Sequence, residues 1–344
     1  MINWGIIGLG RIARDFASGF KDIKNAKLLG VASKTKKNLT EFKKIFNIDE
    51  NYCFSSYEDL IACDKIDIVY IALPHNFHFE WIMKCIESNK KVLTEKPATT
   101  TSYEIKKINE KLDEKKIFFA EGFMYRYHPQ TKKIISLIKN NEIGDLISME
   151  SNFGINLIEK RNIFGFKRIK FNKESRLFNK SLAGGCILDL GCYPSSFSIL
   201  ISKLKDSKNL EIELKNTKIE HSSTNVDIDS YTDIYFSNGF TSSVGCSFKK
   251  NLGKSTKILG SKGSILINDS WHCFPMKITL NNKEIYEDKF NYSNIFSYEI
   301  ESISNSILNK KNEPDYPAIS RQETETNIMI LNNWLKKKID MSNR

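Results

Sequence analysis

Apolar runs and polar, periodic stretches take turns along the first third of the chain. Ile2–Ile7 is a continuous apolar run, as in a strand covered on both faces, and Ile12, Phe16 and Phe20 follow at the i, i+4, i+8 spacing of one helix face. The rhythm then repeats. Residues 27–33 (KLLGVAS) read as a short strand, and 39–46 as a helix. A further helix opens at Ser56, whose side chain is a suitable cap. Residues 67–73 (DIVYIAL) form an apolar strand ending at Pro74, 79–88 a helix and 91–94 (KVLT) the next strand. Thr101-Ser102-Tyr103-Glu104 is a capping box for another helix, and 117–120 (IFFA) a further strand. Strands alternating with helices in this way predict βαβ units on a parallel sheet.

From about residue 123 the pattern changes. Residues 134–139 end a helix, and 147–153 (ISMESNF) alternate as a half-buried strand does. The stretch 158–182 is basic and irregular, and is expected to be a loop over the active site. Residues 231–236 and 241–248 flank Ser237-Asn238-Gly239, a hairpin with an Asn-Gly turn. Further strands are expected at 257–260, 264–268 and 277–280. A polar, turn-rich stretch (308–317) precedes a last helix at 320–338, whose Ile328, Leu331, Trp334 and Leu335 form a core-facing stripe.

At 344 residues the chain is longer than one ordinary core, so two domains are expected. Hydrophobic residues at 40% and charged residues at 27% describe a folded globular protein. No apolar run is read as long enough to cross a bilayer, and the N-terminus enters a strand at once, so a cytoplasmic protein without membrane contacts is expected. The seven cysteines include no C-x-x-C pair and sit mostly in apolar stretches, which reads as buried free thiols. The net charge of +11 raises nucleic acid as a partner, but the lysines are scattered at helical surface positions such as 106, 107, 111, 115 and 116. No basic stripe interleaved with aromatics appears, and nucleic-acid binding is not expected.

The chemistry starts at the first turn. Gly8-Leu9-Gly10-Arg11-Ile12-Ala13 fits G-x-G-x-x-A between a strand and a helix, the opening of a dinucleotide-binding unit. Gly8 permits the tight turn, Gly10 lets a pyrophosphate reach the backbone, and Ala13 lets the helix lie close to the strand. The helix start at Arg11 and Ile12 offers N–H groups and partial positive charge to the phosphates. An acid at the end of the second strand would bond the ribose 2′-hydroxyl of NAD. Here stand Ser33 and Lys34, with Lys36 and Lys37 behind, which favours a 2′-phosphate and hence NADP, with NAD the alternative. Leu73, Pro74 and His78 follow a strand's carboxyl end, where ligands of open sheets bind. His75 and His78 lack the spacing and partners of a zinc site, so no metal is expected. Strand 91–94 runs into Glu95-Lys96-Pro97, where proline holds Lys96 extended near the place expected for the nicotinamide. In Gly184–Pro194 (GGCILDLGCYP), Asp189 and Tyr193 share a face if the segment is helical, and Pro194 makes the helix irregular. From spacing alone, a buried tyrosine bonded to a local carboxylate accounts for this pair.

Three matches in order give the chain a wider resemblance: G-x-G-x-x-A at 8–13, E-K-P at 95–97 and E-G-F-M-Y-R-Y-H-P at 121–129. Together they resemble the Gfo/Idh/MocA oxidoreductases, and within them most the glucose–fructose oxidoreductase and dihydrodiol/xylose dehydrogenase branch. The resemblance implies an α/β fold with an N-terminal Rossmann-type, doubly wound parallel sheet (residues 1–122). A C-terminal α+β domain with an open, mainly antiparallel sheet follows (123–344), and subunits pair through that sheet as a homodimer or homotetramer. It implies Tyr193 as proton donor or acceptor, Lys96 as its electrostatic partner, and Asp189 beside them. Substrates would be a sugar, cyclitol or related polyol, a nucleotide sugar included. Arg126, His128 and Phe153 are candidate substrate residues, although Arg126 and His128 fit structural contacts at the domain junction equally well. A cofactor-binding sensor without turnover would need neither Lys96 nor Tyr193. A redox-assisted glycosidase would regain its cofactor each cycle, and a methyltransferase with a Gly-rich loop has no use for E-K-P.

Overall fold

Six parallel strands frame the first of two units in this computed structural model, which describes residues 1–161, 167–169, 175–206 and 210–337. The chain runs β1 (Ile2–Ile7), α1 (Arg11–Ser18), β2 (Ala26–Ala32), α2 (Lys36–Phe46), β3 (Cys53–Phe54) and α3 (Tyr57–Ala62). It continues through β4 (Ile68–Ile71), α4 (His78–Glu87), β5 (Lys91–Glu95), α5 (Ser102–Lys115) and β6 (Phe119–Gly122). The strand order is β3-β2-β1-β4-β5-β6, parallel throughout. The chain builds outward from β1 on one side and then on the other, so the order reverses between β1 and β4. That crevice is where open α/β sheets bind ligands.

The apolar runs are strands because both faces are covered. Trp4, Ile6, Ile7, Val69, Ile71, Val92 and Leu93 are fully buried, each such side chain contributing about 1.5–3 kcal/mol. Phe16 of α1 stacks on Tyr70 at 3.9 Å and meets Trp4 at 5.7 Å. Both expected caps are present: Ser56 Oγ accepts from Asp59 N–H at 3.2 Å, and Thr101 and Glu104 close a capping box.

The second unit holds α6 (Pro129–Lys139), β7 (Leu146–Gly154), β8 (Glu159–Arg161), β9 (Lys167–Ile169) and α7 (Cys192–Lys205). Then come β10 (Ile212–His221), β11 (Asp227–Phe236), β12 (Thr241–Ser247), β13 (Thr256–Gly260), β14 (Gly263–Ile267), β15 (Met276–Leu280) and β16 (Lys283–Glu287). Its eight-stranded sheet has the order β10-β11-β12-β7-β13-β14-β15-β16, antiparallel except where β12 and β7 run parallel. Ser230, Thr232 and Ile234 of β11 face the core, while Tyr231 and Tyr235 stand on the outer face.

The stretch expected to be irregular is partly ordered: β8 pairs with β9, and single 3-10 turns occupy Arg176–Phe178 and Lys180–Leu182. Residues 162–166 and 170–174 of that loop lie outside the described residues. Lys180–Lys205 has the length and mean hydropathy (1.3) of a membrane span, contrary to the sequence reading, but 94% of its apolar window is buried, as in a core helix.

The chain then returns to the first unit. This unit comprises Met1–His128 with Phe290–Glu325, and the second Pro129–Lys289 with Thr326–Arg344. A single break after residue 122 therefore does not describe the division. The reason is α8 (Ile295–Leu308), whose Phe296, Ile300, Ile303 and Ile307 are buried. Phe296 packs on Phe16 at 5.8 Å, and Trp4 Nε1–H donates to Ser304 Oγ at 3.0 Å. The last helix, α9 (Arg321–Lys336), carries Ile328, Leu331 and Trp334 into the second unit's core, with Leu335 partly exposed. All seven cysteines are free thiols. Cys85, Cys186, Cys192, Cys246 and Cys273 are buried, and Cys53 and Cys63 half-buried.

Candidate active site

In the first unit the candidate residues gather at the carboxyl ends of β1, β2, β4 and β5. Gly8 has φ +88°, and a Cβ there would stand 2.5 Å from the Ala72 carbonyl oxygen and 2.7 Å from Leu73 Cδ2. Only glycine fits this close passage. Gly10 differs: its φ is −83°, and a Cβ would meet nothing within 4 Å. Open space therefore lies against its backbone, next to the first turn of α1 at Arg11 and Ile12, which contains no acidic side chain. The N–H groups of that turn have no partner inside the helix. Ala13 is fully buried against the sheet. A dinucleotide's pyrophosphate fits this cradle in shape and charge.

Ser33 is buried at the end of β2, where its Oγ accepts from Thr35 N–H at 3.1 Å. Lys34 lies over the Tyr57 ring at 5.4 Å, and Lys36 and Lys37 open α2, whose first turn carries no acid. Leu73 and Pro74 follow β4 beside Gly8. Glu95, at the end of β5, accepts a hydrogen bond from the Tyr70 hydroxyl, and the half-buried Lys96 comes next. The fully buried His78 directs Nε2 at the Leu73 carbonyl oxygen and Nδ1 at that of Pro97, both at 2.8 Å. Its ring thus ties together the two loops that follow β4 and β5. Among the described residues no group of three or more His, Cys, Asp or Glu is arranged to hold a metal ion.

Arg126 and His128 are both buried among side chains of the first unit. Arg126 is fully buried and donates to the Pro317 carbonyl at 3.3 Å and the Tyr125 hydroxyl at 3.2 Å, with Glu323 at 3.8 Å. His128 packs against Phe290 at 4.8 Å and Tyr298 at 5.1 Å, and burial lowers its pKa to about 4.

In the second unit the Asp189/Tyr193 segment is helical but not a plain α-helix. Ile187–Gly191 forms a π turn that leads into α7. Pro194 has no N–H to close the ladder there, as expected from its place in the sequence. The turn is anchored at its start by a residue the sequence did not flag. Asp227 Oδ2 accepts from Ile187 N–H at 2.6 Å, and its carboxylate fills the space beside Gly185 (φ +125°). Burial raises the Asp227 pKa, and the Ile187 bond works against that rise. Asp189 Oδ1 accepts from both terminal nitrogens of Arg176 at 3.2 Å. Arg176 was legible only as one of many basic residues in 158–182. Tyr193 is 7% exposed and packs edge-on against Phe153 at 5.3 Å and beside Trp271 at 5.6 Å. His272 also meets Phe153, at 6.3 Å. Burial raises the Asp269 pKa, but bonds from His272 and the charge of Lys254 outweigh that and bring it to about 2.

The chain matches family descriptions over most of its length. Residues 2–123 match the oxidoreductase family with the NAD-binding Rossmann fold, and residues 131–266 match the GFO/IDH/MocA C-terminal domain. Among relatives, a D-xylose 1-dehydrogenase (NADP(+)) from Hypocrea jecorina is 34% identical over 203 residues, covering 56% of this chain and 51% of that protein. A trans-1,2-dihydrobenzene-1,2-diol dehydrogenase from Xenopus tropicalis is 24% identical over 339 residues, covering 95% of each. Among solved structures, the aldose-aldose oxidoreductase of Caulobacter crescentus superposes with a TM-score of 0.81 at 18% identity, covering 97% of this chain and 96% of that one. The chain belongs to the Gfo/Idh/MocA oxidoreductase family and carries its NAD(P)-binding Rossmann domain.

Proposed function

We propose that this oxidoreductase interconverts a secondary alcohol and a ketone, or the equivalent lactol and lactone, on a sugar, cyclitol or related polyol. Tyr193 is the proton donor or acceptor, and NADP is the preferred cofactor. The observation that carries the reading is the setting of Tyr193, four residues from an Arg176-paired Asp189 and walled by Phe153 and Trp271. When bound, the nicotinamide supplies the hydride-accepting or hydride-donating carbon. A phenol titrates near pH 10, too high for an efficient base at neutral pH. Lys96 supplies the ammonium that stabilises the phenolate and brings that value down. Asp189, fixed by Arg176, orients the phenol or a substrate hydroxyl. The aromatic walls keep water from Tyr193.

Ser33 in place of an acid and the lysines at 34, 36 and 37 support NADP over NAD. The exposed side chains of Tyr231, Tyr235, Leu259 and Leu266 support pairing of subunits across the outer face of the eight-stranded sheet. Tyr193→Phe tests the central role. NADPH affinity, read by fluorescence titration, stays at the wild-type value, while turnover of the best sugar or polyol falls by about 10²–10⁴-fold. Wild-type turnover in this variant would remove Tyr193 from the chemistry.

A further inference from the structure

Two fully buried titratable side chains of the first unit, His78 and Glu121, have no part in the chemistry assigned so far. They meet at one peptide group. His78 Nδ1 lies 2.8 Å from the carbonyl oxygen of Pro97, and the N–H of the same peptide, that of Ala98, donates to Glu121 Oε1 at 2.8 Å. The peptide immediately after Lys96-Pro97 is therefore held at its oxygen by an imidazole and at its N–H by a carboxylate.

The protonation states follow from donor counting. The other His78 nitrogen, Nε2, also faces a carbonyl, that of Leu73 at 2.8 Å. A neutral imidazole has one N–H and would turn a lone pair on one of these oxygens, so serving both takes the imidazolium. Glu121 accepts at both oxygens, since Thr324 Oγ1–H donates to Oε2 at 2.8 Å. The ionised carboxylate suits both donors. Cation, peptide dipole and anion then line up, with each bond charge-assisted and each polarising the next. The two buried charges also offset one another, which lowers the cost of keeping either away from water.

Other charged and titratable groups face this arrangement. His75 lies beside His78, with ring centroids 5.8 Å apart. Around Glu121 stand Glu95 from β5, Arg126 and Tyr127 after β6, and Glu299 from α8, with Glu323 of α9 paired to Arg126. Burial raises the Glu121 pKa to about 7, and its bonds to Thr324 and Ala98 restrain that rise.

We propose that His78 and Glu121 are positioning residues for Lys96. Together they clamp the Pro97–Ala98 peptide and so fix the direction in which the Lys96 side chain leaves the turn, and proton gain by Glu121 slackens the clamp. The inference rests on the role proposed above for Lys96.

The test uses the full chain labelled with ¹⁵N-alanine, with the Ala98 amide assigned through Ala98→Gly and followed across neutral pH. In the wild-type protein the Ala98 resonance shifts with a midpoint near that of Glu121, about 7. In Glu121→Gln that shift is gone. In steady state, Glu121→Gln and His78→Gln each lower kcat by about 10- to 100-fold with KM nearly unchanged, as misplacement of a reacting group does. The double variant is no worse than the poorer single one, because either change opens the same clamp. An Ala98 resonance that ignores pH through the neutral range in the wild-type protein overturns the proposal without needing any variant to fold. So do single-variant effects that multiply in the double variant. Lys96→Met with wild-type kcat instead removes the role of Lys96 and with it the purpose of the clamp, an outcome distinguishable because the Ala98 titration does not depend on turnover.

Discussion

The two glycines of the first turn, only two residues apart, are expected to fail in opposite ways when each is changed to alanine. Gly8→Ala places a methyl group 2.5 Å from the Ala72 carbonyl oxygen and forces φ +88° on a residue with a Cβ. The left-handed backbone costs about 1–2 kcal/mol and the overpacking about 1–3 kcal/mol, so stability falls by about 2–5 kcal/mol. Gly10→Ala meets no atom within 4 Å and keeps φ −83°, which alanine adopts freely. Its stability stays within about 0.5 kcal/mol of wild type. The added methyl stands in the space a pyrophosphate needs, however. An overpacking cost of about 1–3 kcal/mol weakens NADPH binding by about 5- to 150-fold. Thermal melts of the cofactor-free protein and fluorescence titration with NADPH separate the two effects. If Gly10→Ala binds NADPH as tightly as wild type, the phosphates do not cross the chain at Gly10. If Gly8→Ala melts with the wild type, the tight passage against Ala72 does not constrain the turn.

Four further outcomes follow from burial and charge. His128 is held neutral with its pKa lowered to about 4, so between about pH 6.5 and 4 the unfolded chain takes up a proton that the folded one refuses. Stability is lost as pH falls through that window, by at most about 3 kcal/mol, and His128→Phe removes this part of the slope in urea melts run against pH. Glu121 acts in the opposite sense, its raised value of about 7 making stability fall as pH rises from about 4.5, and Glu121→Gln flattens that fall. Arg176→Met leaves stability within about 1 kcal/mol, since the Arg176 side chain is 47% exposed, yet it lowers kcat by freeing Asp189, and adding Asp189→Asn to it costs little more. A further tenfold loss in that double variant would show that Asp189 works without Arg176. Trp334→Ala costs about 3–5 kcal/mol by denaturant melting, whereas Trp334→Phe loses about 1 kcal/mol with the bond to Ser230 Oγ. Equal losses would mean that the indole packing contributes nothing beyond that bond.

The parallel half of the fold was legible because its signals are local. Apolar runs such as Ile68–Ile71 are strands by composition alone, and Thr101 with Glu104 caps a helix using atoms a turn apart. The cofactor turn was legible for the same reason, since Gly8, Gly10 and Ala13 act within one loop. What escaped depends on distant partners. Helix α8 carries an apolar stripe of its own, Phe296, Ile300, Ile303 and Ile307, but nothing local says that its packing surface belongs to Trp4 and Phe16, near the other end of the chain. The π turn needs Asp227, remote in sequence, to bond Ile187 N–H. Arg176 was lost among the lysines and arginines around it, because nothing in its neighbourhood says that it reaches Asp189. Arg126 and His128 show the converse. Their place in a chemistry-bearing motif left pocket and structural contacts equally open, and only the folded chain shows how deeply they are buried.

The return of residues 290–325 to the first unit has a consequence for how this protein is made. All eight strands of the second unit's sheet lie between residues 146 and 287, so every strand it needs has emerged once residue 287 leaves the ribosome. Neither unit is complete at that point: the first still lacks α8, and the second still lacks α9, whose Ile328, Leu331 and Trp334 belong to its core. Until α8 emerges, Trp4 and Phe16 lack part of their apolar cover and Trp4 Nε1 lacks its acceptor. During synthesis the N-terminal strands therefore wait as an open half until nearly the whole chain has emerged. A fragment cut after residue 128, however well it matches a nucleotide-binding fold in sequence, ends with that half still open.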